Sequence, residues 1–419
     1  MLHQEYLYWQ LKSRITWLNY GDATTKYFHL KTIQRWSHLW VATLKDETGL
    51  WLIGEPLTQH ITNAFKKLFQ ATSPHICPTF RNTLQRSHRS PFLTHTQSLT
   101  SIPPLAEILR NLQGLPPLKA LGPDGYHALF FQHNWLSLGP SIIQVIQEIF
   151  EQLTIPPNWS LINLVLLLKV AHPELITQFR PINHCNTLYK LLSRIIVQRL
   201  KPYMAEVINP CQAGFVSGRW TSDNIILVQE AIWTLKSRRG RIGYVALKLD
   251  LEKAYDQLEW PFIRETLEFF QMPPTLITLI MNMISSTRFH TLWNGTPLPE
   301  MVPSREVRQG DPLSPYLFIL CLEQLLLQLE EAVWGKLIHP LSFRAKVRLL
   351  HLFFADDIFL FTTATTKDCK NLHKFYDSSS QFMNVTKSRL WFSPSTPRHI
   401  KEQVAGIFGI PPPTTLVPT

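Results

Sequence analysis

Apolar and polar positions alternate or recur along the chain in ways that assign most of its elements. Across 244–250, Val245, Leu247 and Leu249 fall on one face of an extended strand, and Ala246, Lys248 and Asp250 on the other. Two short apolar runs, 161–168 and 349–361, predict buried strands, the second interrupted by Asp356 and Asp357. Tyr6, Trp9 and Leu11 among polar neighbours predict a short amphipathic helix over 5–17, closed by Gly21, with a second helix over 25–33. Residues 41–44 and 50–53, joined by Asp46-Glu47-Thr48-Gly49, predict a hairpin. A long helix is expected over 187–204. Its basic face of Lys190, Arg194, Arg199 and Lys201 is either solvated or tracks a nucleic-acid backbone.

These elements divide the chain into an N-terminal helical and hairpin segment (1–70), a linker rich in Ser, Thr, His and Pro (71–104), a main mixed region (105–390), and a Pro- and Thr-rich tail or stub (391–419). Helices and short strands without a fixed repeat place the fold in the α+β or α/β class.

Composition narrows the function only a little. An apolar fraction of 45% over 419 residues, with 17% charged, excludes wholesale disorder. The net charge of +11 suits a polyanionic partner, and equally a merely soluble surface. The chain start lacks a secretory layout and no run of eighteen apolar residues occurs, so a non-membrane protein is expected. Five scattered cysteines without a CxxC pair favour a reducing compartment, nuclear or cytoplasmic. Sixteen histidines without an HExxH spacing give no histidine metal site.

The acids carry more information. Asp356 and Asp357 lie side by side in an apolar run, where unpaired carboxylates would cost several kcal/mol. Either the pair marks a plain tight turn, or it sits at a hairpin tip beside Asp250 and holds divalent metal for phosphoryl or nucleotidyl transfer.

The surrounding residues favour the second reading. Phe354-Ala355-Asp356-Asp357 resembles the F-A-D-D core of LINE-type, non-LTR reverse transcriptases of plants, and 248–256 (Lys-Leu-Asp-Leu-Glu-Lys-Ala-Tyr-Asp) resembles their K-x-D-x-x-K-A-Y/F-D segment. Arg308-Gln309-Gly310-Asp311-Pro312-Leu313-Ser314-Pro315 resembles the R-Q-G-D-P-L-S-P block between them, in the family's order. Further similarity lies in Lys119 to Gly125, Phe179-Arg180-Pro181-Ile182, Gln212 to Arg219, and Asn384-Val385-Thr386-Lys387-Ser388.

The resemblance implies an α+β right-hand polymerase with an antiparallel palm sheet, mainly helical fingers and a truncated thumb. It implies an RNA-directed DNA polymerase acting on an RNA template, a DNA primer and dNTPs. Asp250, Asp356 and Asp357 would hold two Mg²⁺ ions, with Mn²⁺ as a substitute. Tyr255 would exclude a 2′-hydroxyl, against ordinary core packing as the alternative. Gln309 and Gly310 would meet the nascent base pair, Arg180 and Lys169 would clamp the triphosphate, and Lys387 would lie near the pyrophosphate. For Lys169 and Lys387 the alternative is an ordinary surface lysine.

Several positions depart from the family pattern: Leu121 and Leu168 replace prolines, Asn183-His184 replaces Ser-Leu, and the Ser-Gly expected near 381–383 is missing. Endonuclease, zinc-knuckle and ribonuclease H segments are absent from the sequence given, so other retrotransposon-encoded domains would act in trans. Two rivals stand beside this reading: a catalytically silent nucleic-acid-binding remnant, and an RNA-dependent RNA polymerase, which would lack the bulky gate.

Overall fold

A computed structural model describes residues 8–9, 12–13, 25–71, 91–251, 253–343, 348–378 and 384–411. Helix and sheet are mixed, and the chain divides into two compact units.

The first unit combines 1–67 with 163–182 and 290–301. Helix α1 (Thr25–Leu39) extends beyond the helix expected over 25–33, because no Gly or Pro interrupts it before Leu39. The hairpin forms with shorter strands than predicted, β1 (Leu44–Lys45) and β2 (Trp51–Leu52), and pairs Leu44 with Leu52. Asp46 Oδ1 organises its turn, accepting from the backbone N–H groups of Thr48 and Leu50, both at 2.9 Å. Helix α2 (Gly54–Phe69) follows. A four-stranded sheet runs in the order β4 (Phe179–Cys185), β3 (Leu161–Leu168), β6 (Arg288–Trp293), β7 (Thr296–Pro297). The helix expected over 5–17 lies mostly outside the described residues, with Tyr8–Trp9 and Lys12–Ser13 helical.

The second unit holds the remaining residues. Of the segment expected as a linker, 91–100 forms two short helices that bury Phe92 and Leu99 completely. Single apolar residues in a polar stretch give no periodicity, so this packing left no pattern to read. Helices α3 (Leu105–Gln113), α4 (Ala128–His133) and α5 (Trp135–Gln152) lead to the long helix α6 (Thr187–Val207).

On the basic face of α6, Lys201 is exposed, whereas Arg199 and Lys190 are taken up by the fold. Arg199 forms a bidentate pair with Glu107, with both bonds at 2.8 Å, and also donates to the carbonyls of Leu99 and Ser101. Lys190 Nζ donates to the carbonyl of Ala120 at 2.9 Å. These cations tie α6 to the segments before it.

A separate short antiparallel pair joins β8 (Leu341–Ser342) to β9 (Arg348–Leu349). The main sheet is antiparallel throughout, in the order β10 (His351–Phe354), β11 (Asp357–Thr363), β5 (Tyr244–Asp250), β12 (Arg389–Phe392). Its two faces are apolar for different partners. Ala246, Leu352 and Phe361 pack on Ala231 and Leu235 of helix α7 (Thr221–Ser237). Leu249, Ile358 and Leu360 face Leu325 and Leu329 of α10 (Ser314–Trp334) and Leu372 of α11 (Thr366–Ser378). Helix α8 (Trp260–Phe269) packs beside both α10 and α9 (Pro274–Ser285). The strand expected to alternate is therefore buried on both faces. Only Lys248 and Asp250 keep the polar half of the pattern.

Of the Pro- and Thr-rich tail, the residues through Pro411 are described and form two elements. Trp391 and Phe392 complete β12, and helix α12 (Arg398–Phe408) buries Val404, Ala405 and Phe408, with Phe408 against His373 of α11. Pro397 stands at the start of α12, as its N-cap.

Candidate active site

Asp250 ends β5 and Asp357 begins β11, and the two are direct antiparallel partners. Cross-strand partners project from the same face of a sheet with their Cβ atoms about 4.5–5.5 Å apart. Asp356 is the second residue of the two-residue loop that joins β10 to β11, and it is exposed. The three acids thus lie at one end of the sheet. There Asp250 and Asp357 are half-exposed.

The loop has a cost and a support. Ala355 sits at φ 52°, where a Cβ is disfavoured by roughly 1–2 kcal/mol. Its N–H donates to the side-chain Oε1 of Gln212 at 3.1 Å, and the same oxygen accepts the N–H of Gly214 at 2.8 Å. The 211–213 segment pairs along β10, with Phe353 N–H on Cys211 O and Ala213 N–H on Phe353 O. A Cβ on Gly214 would lie 2.6 Å from the backbone nitrogen of Ala355, so this close approach requires glycine. Arg219, at the end of the same block, donates to the carbonyls of Ala205, Ile208, Asn209 and Gln212 and thereby closes the C-terminal end of α6.

On the other edge of β5, the 384–388 turn grips Asp250 by its backbone. Asn384 N–H donates to Asp250 O at 2.9 Å, and Asp250 N–H donates to Ser388 Oγ at 3.2 Å. Asn384 Oδ1 accepts the N–H of Lys387 at 3.2 Å, a local side-chain turn that fixes where Lys387 starts. Lys387 Nζ lies 3.8 Å from Asp250 Oδ1, with its side chain largely exposed. Lys248 pairs with Asp357 at 2.9 Å. This second cation was not singled out from the sequence, although strand alternation alone puts it on the face of Asp250.

The site can supply hard carboxylate oxygens suited to Mg²⁺, which commonly takes one or two carboxylates with the remaining ligands from substrate phosphates. Among the described residues, no three His, Cys, Asp or Glu side chains converge closely enough to hold a metal ion as a set.

Tyr255 stacks on Phe318 of α10, with centroids 4.7 Å apart and planes 23° from parallel. Burial raises its hydroxyl above the ordinary phenol range, and the charge of Asp356 adds to the effect. The 306–309 segment runs beside it. Val307 N–H donates to Tyr255 O at 2.9 Å, and Gln309 Nε2 donates to Asp256 Oδ1 at 3.2 Å. Gly310 is exposed at φ 113°, a conformation that favours glycine.

Beneath this segment Arg308 is 1% exposed. Its guanidinium lies 4.1 Å from the Tyr189 ring centroid and donates to Thr287 Oγ1 and to the carbonyl of Met283. The arginine of the R-Q-G-D-P block is thus a support. Asp311 is likewise buried, and α10 begins at Ser314 with Pro315 in its first turn. Asn183, one of the departures from the family pattern, donates its N–H to Gln309 O at 2.9 Å.

Lys169 and Arg180 belong to the first unit. Arg180 is exposed on β4, and Lys169, just past β3, donates from Nζ to Thr177 O at 3.0 Å. Arg180 thus stands on a strand and Lys169 directly after one, rather than on helices.

No helix among the described residues is long and apolar enough to cross a membrane. Four cysteines, Cys185, Cys211, Cys321 and Cys369, are free thiols.

The family of reverse transcriptases (RNA-dependent DNA polymerases) matches residues 169–393, more than half of the chain and the stretch that carries all three acids. The chain is 29% identical over 292 residues to the transposon TX1 uncharacterized 149 kDa protein of Xenopus laevis, covering 70% of this chain and 22% of that protein. It is 28% identical over 236 residues to the retrovirus-related Pol polyprotein from type-2 retrotransposable element R2DM of Drosophila melanogaster, covering 56% of this chain and 21% of that one. An uncharacterized mitochondrial protein of Arabidopsis thaliana is 49% identical over 65 residues, 15% of this chain and 53% of its own length. The chain spans about a fifth of the length of the two longer relatives. The chain belongs to the family of reverse transcriptases (RNA-dependent DNA polymerases).

Proposed function

We propose that this domain extends a DNA primer on an RNA template by metal-assisted nucleotidyl transfer, within an element of the plant LINE type. The observation that carries the reading is the antiparallel pairing of Asp250 with Asp357, with Asp356 in the adjoining loop. The antiparallel sheet is the palm. The segments around Lys169 and Arg180 serve as fingers.

Asp250 and Asp356 are the principal metal ligands, and Asp357 is the weaker one because Lys248 holds it. Bound Mg²⁺, with Mn²⁺ as a substitute, supplies positive charge to the attacking 3′-hydroxyl and the leaving pyrophosphate. Tyr255 presents a flat ring under the incoming sugar and selects dNTPs. Gln309 and Gly310 meet the nascent base pair. Lys387 neutralises or protonates the pyrophosphate, and Arg180 and Lys169 bind the triphosphate.

The test is Mg²⁺-dependent incorporation of dTTP on poly(rA)/oligo(dT) by purified protein, beside an Asp356→Ala, Asp357→Ala double variant. Incorporation by the first and not by the second supports the reading. One observation favours a silent nucleic-acid-binding remnant: Asp357 and Asp250 already have lysine partners at 2.9 and 3.8 Å. Folded protein that binds the duplex and incorporates nothing would decide for it.

A further inference from the structure

Asp256 follows the stacked Tyr255 ring and is 2% exposed. A buried carboxylate needs a reason to be there, since desolvation disfavours it. Its Oδ1 accepts from Gln309 Nε2 at 3.2 Å. The backbones on either side are clamped together: Val307 N–H donates to Tyr255 O and Glu306 N–H to Leu258 O, both at 2.9 Å. Gln309 O is held in turn by Asn183 N–H. A glutamine amide presents an acceptor on one side and donors on the other, and its long side chain has several rotamers. A partner that only accepts dictates which side faces it. With Nε2 turned to Asp256, the Oε1 of Gln309 is left for another group.

We propose that Asp256 is a positioning residue for nucleotide selection. It fixes the rotamer and the amide orientation of Gln309 and links that amide to the Tyr255 segment, so that the group at the base pair and the group under the sugar are set as one unit. This rests on reading the site as a dNTP pocket.

The test is single-nucleotide incorporation by the full chain on a heteropolymeric RNA template with a DNA primer, comparing correct and mismatched dNTPs. Asp256→Ala should raise KM for the correct dNTP roughly threefold to tenfold, the worth of one such hydrogen bond, with a smaller change in kcat. Discrimination against mismatches should fall with it. Asp256→Asn keeps an acceptor oxygen and should recover most of the loss. Asp256→Ala combined with Gln309→Ala should be no worse than Gln309→Ala alone, and Asp256→Asn with Gln309→Glu, which exchanges donor and acceptor, should outperform Gln309→Glu alone.

Additive effects, or a lower kcat with unchanged discrimination and a smaller folded fraction in urea, would overturn the proposal while leaving the dNTP pocket standing. Absence of incorporation by the unaltered chain would overturn the pocket and the proposal together. If Asp256→Ala does not fold, the exchanged pair carries the same decision.

Discussion

The side-chain oxygen of Gln212 accepts the backbone N–H of Ala355 at 3.1 Å, so the loop that carries Asp356 is held from outside its own hairpin. Ala355 bears a positive φ without being glycine, and the second N–H on the same oxygen, from Gly214, locks the acceptor in place. Replacing Gln212 by Leu leaves two N–H groups without that acceptor. A loss of roughly 1–3 kcal/mol in urea unfolding is expected, together with a fall in primer extension larger than the change in folded fraction explains. Unchanged stability and extension would show that the loop holds itself.

On the proposed reading, in which Asp357 takes metal, Lys248 would compete for its carboxylate. Its ammonium lies 2.9 Å from the carboxylate, with a side chain one-third exposed. A partly exposed pair of this kind is worth at most about 1 kcal/mol. Lys248→Met should therefore lower the Mg²⁺ concentration for half-maximal extension by roughly twofold to fivefold. A rise instead would mean that the lysine serves the substrate and does not oppose the metal.

How much of this was legible in the sequence differs between the parts. The strand 161–168, the strand ending in Asp250 and the acid-bearing hairpin follow from local pattern, and β3, β5 and the β10–β11 hairpin match it. The register that makes Asp250 the partner of Asp357 does not, because it joins segments a hundred residues apart in sequence. The roles of Arg199, Arg219 and Arg308 were also hidden. Each satisfies groups brought by distant segments or by the end of a helix, and a basic side chain reads the same in sequence whether it meets water, phosphate or carbonyls. The folded segments 91–100 and 391–411 bury isolated apolar residues among prolines and serines, where composition suggested loops.

Tyr255 tests substrate choice. Its ring is fixed by Phe318 at 4.7 Å, and its hydroxyl is kept protonated by burial. If the ring alone excludes a 2′-hydroxyl, Tyr255→Phe should leave the preference for dNTP over rNTP unchanged, whereas Tyr255→Val should raise rNTP incorporation at least tenfold, about 1.4 kcal/mol of discrimination. The two variants, assayed with matched dTTP and UTP on poly(rA)/oligo(dT), separate the ring from the hydroxyl. Equal behaviour of both would remove Tyr255 from nucleotide selection.

Two buried glutamates set a pH dependence of stability. Glu306 and Glu323 are each 2% exposed, and burial pushes both carboxyls up from 4.5 to about 8. For Glu306 the Arg308 guanidinium opposes the shift, and for Glu323 the N–H of Asn209 on its Oε2 does so. In the folded protein both stay protonated at pH values where the unfolded chain has already lost these protons. Their contribution is therefore fully present below about pH 4.5, declines as pH rises, and is gone once pH passes through about 8. The slope is at most about 1.4 kcal/mol per pH unit for each group. A Glu306→Gln, Glu323→Gln double variant keeps neutral polar groups of the same size and should lose this slope. Its urea midpoint should rise relative to the unaltered chain from mildly acidic to mildly alkaline pH, with the curves parallel above that range. Parallel curves throughout would mean that both carboxylates ionise in the folded state at their ordinary pH, with water or cations reaching them.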